Sequence, residues 1–107
     1  MDEQRAEVID VIHGVFAALA DRDCPRLESL VAGRELERLT RGGGCAHVLE
    51  TEGESFDLSL VSMEPPRRDG RVPGAWMVRA LTAHEGSQQP VMVRVQWIND
   101  GFRLVNM

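Results

Sequence analysis

Residues 91–105 read VMVRVQWI NDG FRLV, and this stretch decides the fold. Two apolar runs flank an Asp-Gly pair, a strong β-hairpin signal because a type I′ turn needs positive φ at its central residues. With Asp100 and Gly101 at the centre of the turn, Trp97 is predicted to face Leu104. One face of the hairpin then carries the apolar side chains of Val91, Val93, Val95, Trp97, Phe102 and Leu104. The opposite face carries Met92, Arg94, Gln96 and Arg103. The rest of the chain has to cover the apolar face.

An amphipathic helix, predicted from Asp2 to about Ala20, supplies that cover. Its larger apolar side chains fall on one broad stripe, which consists of Val8, Ile9, Val11, Ile12, Val15, Phe16 and Leu19. Acidic residues near its start suit the positive end of the helix dipole. His13 lies just beyond the edge of the stripe, beside Ile9 and Phe16.

A short second helix is predicted directly after an acidic link. Asp23 or Cys24 is the expected N-cap, and Pro25 occupies the first helical position, where its missing N–H has no cost. Gly33 is the residue expected to end this helix.

Two further helical segments are predicted on either side of three consecutive glycines. The first spans residues 35–41 and the second residues 45–49. The glycines at 42–44 are interpreted as a flexible turn and not as a phosphate cradle, because no strand precedes them and no lysine follows them.

The second half of the chain has the period of β-strands. A strand is predicted from Ser55 to Met63, a solvated loop from Glu64 to Gly74, and a second strand from Ala75 to His84. Pro90 is expected at the start of the strand that leads into the hairpin. Helices followed by strands joined through turns or loops predict the α+β class, with N-terminal helices packed on one face of a curved antiparallel sheet. With 107 residues, the chain is predicted to be a single domain over residues 1–107.

The composition excludes several classes of function. All 12 basic residues are arginine and there is no tyrosine, so Schiff-base lysines and tyrosine acids are ruled out. The net charge of -5 argues against nucleic acid, and the densest basic cluster, Arg67, Arg68 and Arg71, shares its loop with Asp69. No apolar run is long enough for a membrane-spanning helix. No cofactor is expected.

Two stretches of the chain, residues 16–27 (FAALADRDCPRL) and residues 95–105 (VQWINDGFRLV), carry a resemblance to a known family. The order of elements and these stretches resemble the nuclear-transport-factor-two-like superfamily, which shares a cystatin-like cone with ketosteroid isomerases and polyketide-cyclase-like proteins. The first stretch is similar to that family's long helix, acidic link and following helix, and the second to its terminal hairpin. Neither stretch carries catalytic residues.

The resemblance implies a cone-shaped fold that is either packed shut or holds a ligand between the helices and the sheet. Phe16, Trp76 and Trp97 are the residues expected to line such a pocket. The outer sheet face often forms a dimer in that family, and here it would carry Arg79, Arg94, Gln96 and Met92. Isomerases of the family use a pocket tyrosine, which this chain lacks, so an activity of that kind is not expected.

Two residues are candidates for acid–base chemistry. Asp57, between Phe56 and Leu58, would act as a general base if it turned into an apolar cone, although strand alternation points it to solvent. His13 would serve as a base or a hydrogen-bond donor if it lined the cone; a lone histidine at this position is more often a packing residue. The three histidines have no ligand spacing, so no metal site is expected.

Cys24 and Cys45 are a disulfide candidate. The pair resembles the arrangement in exported actinobacterial relatives of the fold, where a cysteine after the acidic link bridges to one before a short helix. The alternative is two free buried thiols in a cytoplasmic protein. Cys24 alone would be a nucleophile if the helix N-terminus lowered its pKa, but no base lies near it in the sequence.

Three functions follow as hypotheses. The first is a non-catalytic binding module, a homodimer through its outer sheet face, for a small apolar ligand or a protein partner. The second is an enzyme of the polyketide-cyclase or isomerase type that acts on a hydrophobic substrate through His13 or Asp57. The third is an extracytoplasmic accessory or sensor domain. The chain as written is expected to be cytoplasmic, and extracytoplasmic if Cys24 and Cys45 are bridged and the chain is a fragment.

Overall fold

The chain divides into a helical half and a sheet half, so the predicted α+β class is confirmed. The computed structural model describes residues 3–107, apart from the side chains of residues 54 and 55; Asp2, the predicted start of the first helix, lies outside the described residues. The helices are α1 (Glu3–Asp21), α2 (Cys24–Leu30), α3 (Gly33–Thr40) and α4 (Cys45–Thr51), followed by a 3-10 turn (Gly53–Phe56). The strands are β1 (Ser59–Met63), β2 (Arg67–Arg68), β3 (Ala75–His84), β4 (Ser87–Ile98) and β5 (Gly101–Asn106).

Asp23 is the N-cap of α2, and its Oδ1 accepts a hydrogen bond from the backbone N–H of Arg26 at 3.2 Å. The prediction that Gly33 ends α2 is wrong. The helix ends at Leu30, Val31 is extended and bridges to Leu104 of β5, and Gly33 begins α3 with a φ of 56°. Pairing with the sheet therefore stops α2 before the glycine is reached.

The strands form one open antiparallel sheet in the order β1-β3-β4-β5. β4 pairs along the whole of β3, so β1 and the short β2 share the other edge of β3. Pro65 and Pro66 separate these two strands, because proline cannot donate to a ladder. Strand β2 was not predicted from the sequence. The predicted start of β1 at Ser55 is also too early, because Phe56 ends the 3-10 turn and Asp57 lies in the link before β1.

Two hairpins join the last three strands. Glu85 and Gly86, with φ of 49° and 84°, form the turn between β3 and β4, whereas Pro90 lies inside β4 and not at its start. In the terminal hairpin, Asn99 takes the positive φ of 60°, and Ile98 pairs with Gly101.

The predicted register of the terminal hairpin is therefore wrong by two residues: Trp97 lies opposite Phe102, and Val95 opposite Leu104. Asparagine tolerates the left-handed region, so the turn centres on Asn99 and Asp100. A shift of two leaves every side chain on its predicted face, because strand side chains alternate with a period of two.

The core lies between the helices and one face of the sheet. On α1, Val8, Ile12 and Val15 are no more than 2% exposed. The sheet meets them with the predicted apolar face, of which the fully buried members include Trp76, Val78, Thr82, Val93, Val95 and Leu104. Trp97 belongs to the same face, yet it is 48% exposed because it lies near the end of the hairpin.

A disulfide joins Cys24 to Cys45, with their Cα atoms 5.9 Å apart. The bond ties the first residue of α2 to the first residue of α4, across the glycine turn that the sequence predicted. The alternative of two free thiols is therefore wrong for this structure, and so is a nucleophilic role of Cys24, since a disulfide sulfur is not a thiolate. Helix α4 is also longer than the predicted segment over residues 45–49, because it continues to Thr51.

Candidate ligand groove

A groove of about 800 Å³ lies between α1 and β1. One wall is a stripe of α1, made of Arg5, Ile9, His13, Phe16, Ala17 and Ala20. The other wall is the continuous segment from Leu58 to Pro66. Both walls are mostly apolar, so the groove offers an elongated hydrophobic surface that is open to solvent.

The α1 wall arises from a second stripe of the helix, beside the buried one. Its members recur at intervals of three and four residues, which places them on one helical face. Ala17 and Ala20 are exposed and line the groove, where their methyl side chains occupy less space than larger side chains would. His13 lies in the groove with Ile9 and Phe16, as its position beside the apolar stripe predicted.

The β1 wall has a free edge. β1 pairs with β3 on one side and is the terminal strand of the sheet, so its other edge has no strand partner within residues 3–107. The groove is lined by consecutive residues of this segment. A cavity under one face of a strand would touch only every second side chain. The groove therefore runs along the free edge of β1.

A bulge interrupts β1 in the middle of the groove. The register with β3 shifts between Leu60 and Ser62, so Val61 has no residue opposite it on β3. The Val61 side chain is 47% exposed. Bulges bend an edge strand and blunt it against uncontrolled pairing, as do prolines such as Pro65 and Pro66 at its end.

The charges of the groove are unevenly placed. Glu64 lies 3.5 Å from the guanidinium of Arg79 and is thereby compensated. Arg5 is exposed and makes no ion pair with any side chain that the structure describes; its guanidinium carbon lies 5.9 Å from the ring centre of Trp76. Arg5 belongs to the end of α1 that meets β2, because Arg68 donates a hydrogen bond to neighbouring Gln4 at 3.2 Å. At this end of the groove, the positive charge of Arg5 therefore has no carboxylate partner among the described side chains.

The three residues predicted to line one pocket are divided between two sites. Phe16 lines the groove, whereas Trp76 and Trp97 line a separate recess of about 270 Å³. Arg68 lies over the Trp76 ring with its guanidinium carbon 4.6 Å from the ring centre, and the Trp76 side chain is only 1% exposed. The Phe16, Trp76 and Trp97 side chains are thus not brought together around one ligand site.

The two catalytic candidates are also apart. His13 lies in the groove, and no hydrogen bond joins it to another described side chain. Asp57 is exposed, although it lies in the link before β1 and not on a strand as predicted, and it lines a different recess of about 220 Å³ beside His84. The Nδ1 of His84 donates to the backbone carbonyl of Asp57 at 2.7 Å, so this contact does not involve the Asp57 carboxylate. Neither candidate has an acid–base partner within the groove.

Two features with buried charge were missed at the level of sequence. Glu35, in the first turn of α3, is only 5% exposed, and its burial raises the pKa of its carboxyl group although Arg38 lies 3.2 Å away. Asp69, in the loop between β2 and β3, pairs with Arg94 on the outer sheet face. A helix pattern gives no sign that Glu35 meets the backbone of Met107, and a loop pattern does not indicate which strand Asp69 meets.

Within the described part of the chain, no cluster of three or more histidine, cysteine, aspartate or glutamate side chains has the spacing of a metal site. Over the same residues, no helix has the length and apolar character needed to cross a membrane. Comparisons with family models, curated proteins and solved structures found no match to this chain. The resemblance to the nuclear-transport-factor-two-like superfamily therefore stays a prediction.

Proposed function

We propose that this chain is a non-catalytic binding module that holds an elongated apolar ligand or partner segment in the groove between α1 and β1. The observation that carries the proposal is the groove itself, whose volume of about 800 Å³ falls in the range of ligand sites. From Arg5 to Ala20 its α1 wall extends about 22 Å, given a rise of 1.5 Å per residue. An extended occupant fits this shape better than a compact one.

The geometry favours binding over catalysis. Proton transfer requires an acid or base within hydrogen-bond reach of the reacting atom, and enzymes of this kind orient that group through a neighbour. His13 is the histidine of the groove and has no such neighbour among the described side chains, while Asp57 opens into another recess. The alternative of a cyclase-like or isomerase-like enzyme therefore has less support.

The groove can be tested by filling it. Ala17→Trp places a large ring between the walls at an exposed position, and Ala46→Trp, at an exposed position of α4 outside the groove, is the matched control. The probe is an environment-sensitive naphthalene dye, with binding followed by fluorescence and by amide chemical shifts. We expect dye-induced shifts in α1 and β1, about tenfold weaker binding to the Ala17 variant, and an unchanged affinity for the control. Equal affinity in both variants, or shifts confined to the Trp76 recess, would contradict the proposal.

The disulfide favours an extracytoplasmic accessory or sensor role for this module. Disulfides persist in oxidising compartments and are rare where thiols are kept reduced. The measurement is thiol trapping in intact source cells, followed by mass spectrometry of the protein. Full protection of Cys24 and Cys45 from alkylation supports the extracytoplasmic role, and two alkylated thiols per chain contradict it.

A homodimer through the outer sheet face remains part of the proposal. The support is Met92, which is 49% exposed on that face, with the opposite charges of Arg79 and Glu64 nearby. In a two-fold dimer the same patch of each protomer meets its copy, so the positive charge of one protomer can lie opposite the negative charge of the other. Sedimentation equilibrium of the parent and Met92→Glu proteins tests this: the parent is expected to be a dimer that the substitution weakens, and a parent that stays monomeric would refute it.

A further inference from the structure

We infer that the occupant of the groove is an extended peptide segment that pairs with the free edge of β1 as an additional strand and carries an acidic residue near Arg5. This inference rests on the proposed binding function and names the class of partner. The walls of the groove are a stripe of α1 on one side and the free edge of β1 on the other. The partner chemistry follows from what each wall requires.

The strand edge distinguishes a peptide from a lipid. Backbone N–H and C=O groups along the free edge of β1 have no strand partner within residues 3–107, so solvent has to satisfy them in the free protein. An acyl chain or a steroid would displace that water and leave these groups without partners, which is unfavourable. A peptide backbone can replace these hydrogen bonds on the two sides of the Val61 bulge, as in other complexes in which a strand is added to a sheet edge.

The helix wall sets the side-chain pattern of the peptide. In an added strand, alternate side chains point toward the same side, so every second residue would face α1. There they meet the surface of Ile9, Phe16 and Ala17, which is apolar. We therefore expect apolar residues at alternate positions of the partner. The five residues of β1, from Ser59 to Met63, give a pairing length of about five residues.

The charge of the groove places the acidic residue. Arg5 has no carboxylate partner among the described side chains, and it belongs to the end of α1 that lies beside β2. Elsewhere the chain is acidic, with a net charge of -5, so it repels a uniformly acidic partner. A single carboxylate at the end of the peptide that lies beside Arg5 would pair with this guanidinium. A carboxylate at the other end, beside Ala20, would find no such positive charge.

The test uses two synthetic peptides, acetyl-EVTVTV-amide and acetyl-VTVTVE-amide, which place the glutamate at either end because the strand direction is open. Amide chemical shifts of the protein report the site, and isothermal titration gives the affinity. We expect one peptide to bind tighter than the other, with shifts along β1 and α1. If neither peptide shifts β1 or α1, the inference is overturned.

Backbone methylation tests the strand pairing itself. In a strand, the N–H groups of successive residues point to opposite edges. N-methylation of every second residue of the tighter peptide therefore removes either the N–H groups that would face β1 or those that would face away from it. We expect about a tenfold loss for one set and little change for the other, since each lost backbone bond leaves an acceptor unpaired. Equal effects at both sets would overturn the inference.

The Arg5→Gln variant tests the position of the acid. The variant is expected to bind the glutamate peptide more weakly and to bind a peptide with glutamine in place of that glutamate with unchanged affinity. Equal losses of affinity for both peptides would contradict the position of the acidic residue beside Arg5.

Sodium dodecanoate separates this inference from the proposed function. If dodecanoate changes the amide chemical shifts of the groove residues and the peptides do not, the binding function stands and the inference of a peptide occupant is refuted. No groove shifts with either probe, or with the dye, would refute both.

Discussion

Asp69 and Arg94 form an ion pair at 3.1 Å that fastens the loop between β2 and β3 to the outer face of the sheet. The Asp69 side chain is only 7% exposed, and its Oδ1 also accepts a hydrogen bond from the backbone N–H of Arg71 at 2.9 Å. Arg94 was predicted to lie on the outer face, as part of a surface suited to a partner. Because it is engaged by Asp69, the part of that face open to a second chain is the region of Met92 and Arg79.

The first prediction is that the pair of Asp69 and Arg94 stabilises the fold more than the exposed pair of Glu64 and Arg79. Asp69→Ala leaves the guanidinium of Arg94 partly buried without a partner, so we expect a loss of about 1–3 kcal/mol in the free energy of unfolding. Glu64→Ala breaks a pair whose side chains are 61% and 64% exposed, and it should cost less than about 1 kcal/mol.

The measurement is urea unfolding of both single variants, with Arg94→Ala and the double variant completing a cycle for the buried pair. A second cycle with Arg79→Ala and Glu64→Ala gives the coupling energy of the exposed pair, and we expect the buried pair to have the larger coupling energy. Equal losses for Asp69→Ala and Glu64→Ala would show that the burial of Asp69 gives no advantage.

The second prediction concerns the disulfide. Its cysteines are 21 positions apart, and a cross-link of that span stabilises by about 3 kcal/mol in the chain-entropy account. Replacement of Cys24 and Cys45 by serine should lower the free energy of unfolding by about this amount. Reductant should destabilise the parent protein and leave the double-serine variant unchanged. The parent, unfolded without reductant, should expose no reactive thiol; two reactive thiols per chain would refute the bond.

The third prediction is a pH dependence due to Glu35. Burial raises the pKa of this carboxyl group above its ordinary value of 4.5, against the opposing effect of Arg38. The folded state therefore binds the proton more tightly than the unfolded chain. The stability that Glu35 contributes is fully present below pH 4.5 and is lost as the pH rises through the higher pKa of the folded state.

Glu35→Gln removes this titration and keeps the size of the side chain. The free energy of unfolding of the variant, relative to that of the parent, should therefore rise as the pH increases above 4.5. Glu37→Gln, at an exposed position of the same helix, is the matched control for removing one charge from α3. Urea unfolding at several pH values checks the prediction, and the same pH dependence in both variants would contradict it.

The elements with a strong apolar period could be predicted from the sequence. Helix α1 and the bounds of β3 follow from side-chain periodicity, because in both the buried face is long enough to define the period. Strand β2 could not be predicted, since its two residues, Arg67 and Arg68, carry no pattern and pair only because the chain returns to β3 after Pro66.

The site was harder to predict than the fold. The sequence placed His13 beside Ile9 and Phe16, and the groove contains all three because one helix stripe brings them together. It also placed Trp76 and Trp97 in the same pocket as Phe16, but these two residues line a separate recess with Gln4 and Arg68. Local patterns give the faces of elements, but the distance between α1 and the free edge of β1 depends on the packing of the whole chain.

The last prediction tests the register of the terminal hairpin. Asn99 has a φ of 60°, a region that alanine adopts with strain, whereas Gly101 is the first residue of β5 and does not have positive φ. Asn99→Ala should therefore lower the free energy of unfolding by about 1 kcal/mol. A Cβ on Gly101 would meet the Nη1 of Arg103 at 2.6 Å, but this is the end of a flexible side chain that can move away. Gly101→Ala should therefore change the stability by less than about 0.5 kcal/mol. Thermal unfolding of the two variants decides between the registers: a larger loss at Gly101 than at Asn99 would place the turn at Asp100 and Gly101, with Trp97 opposite Leu104.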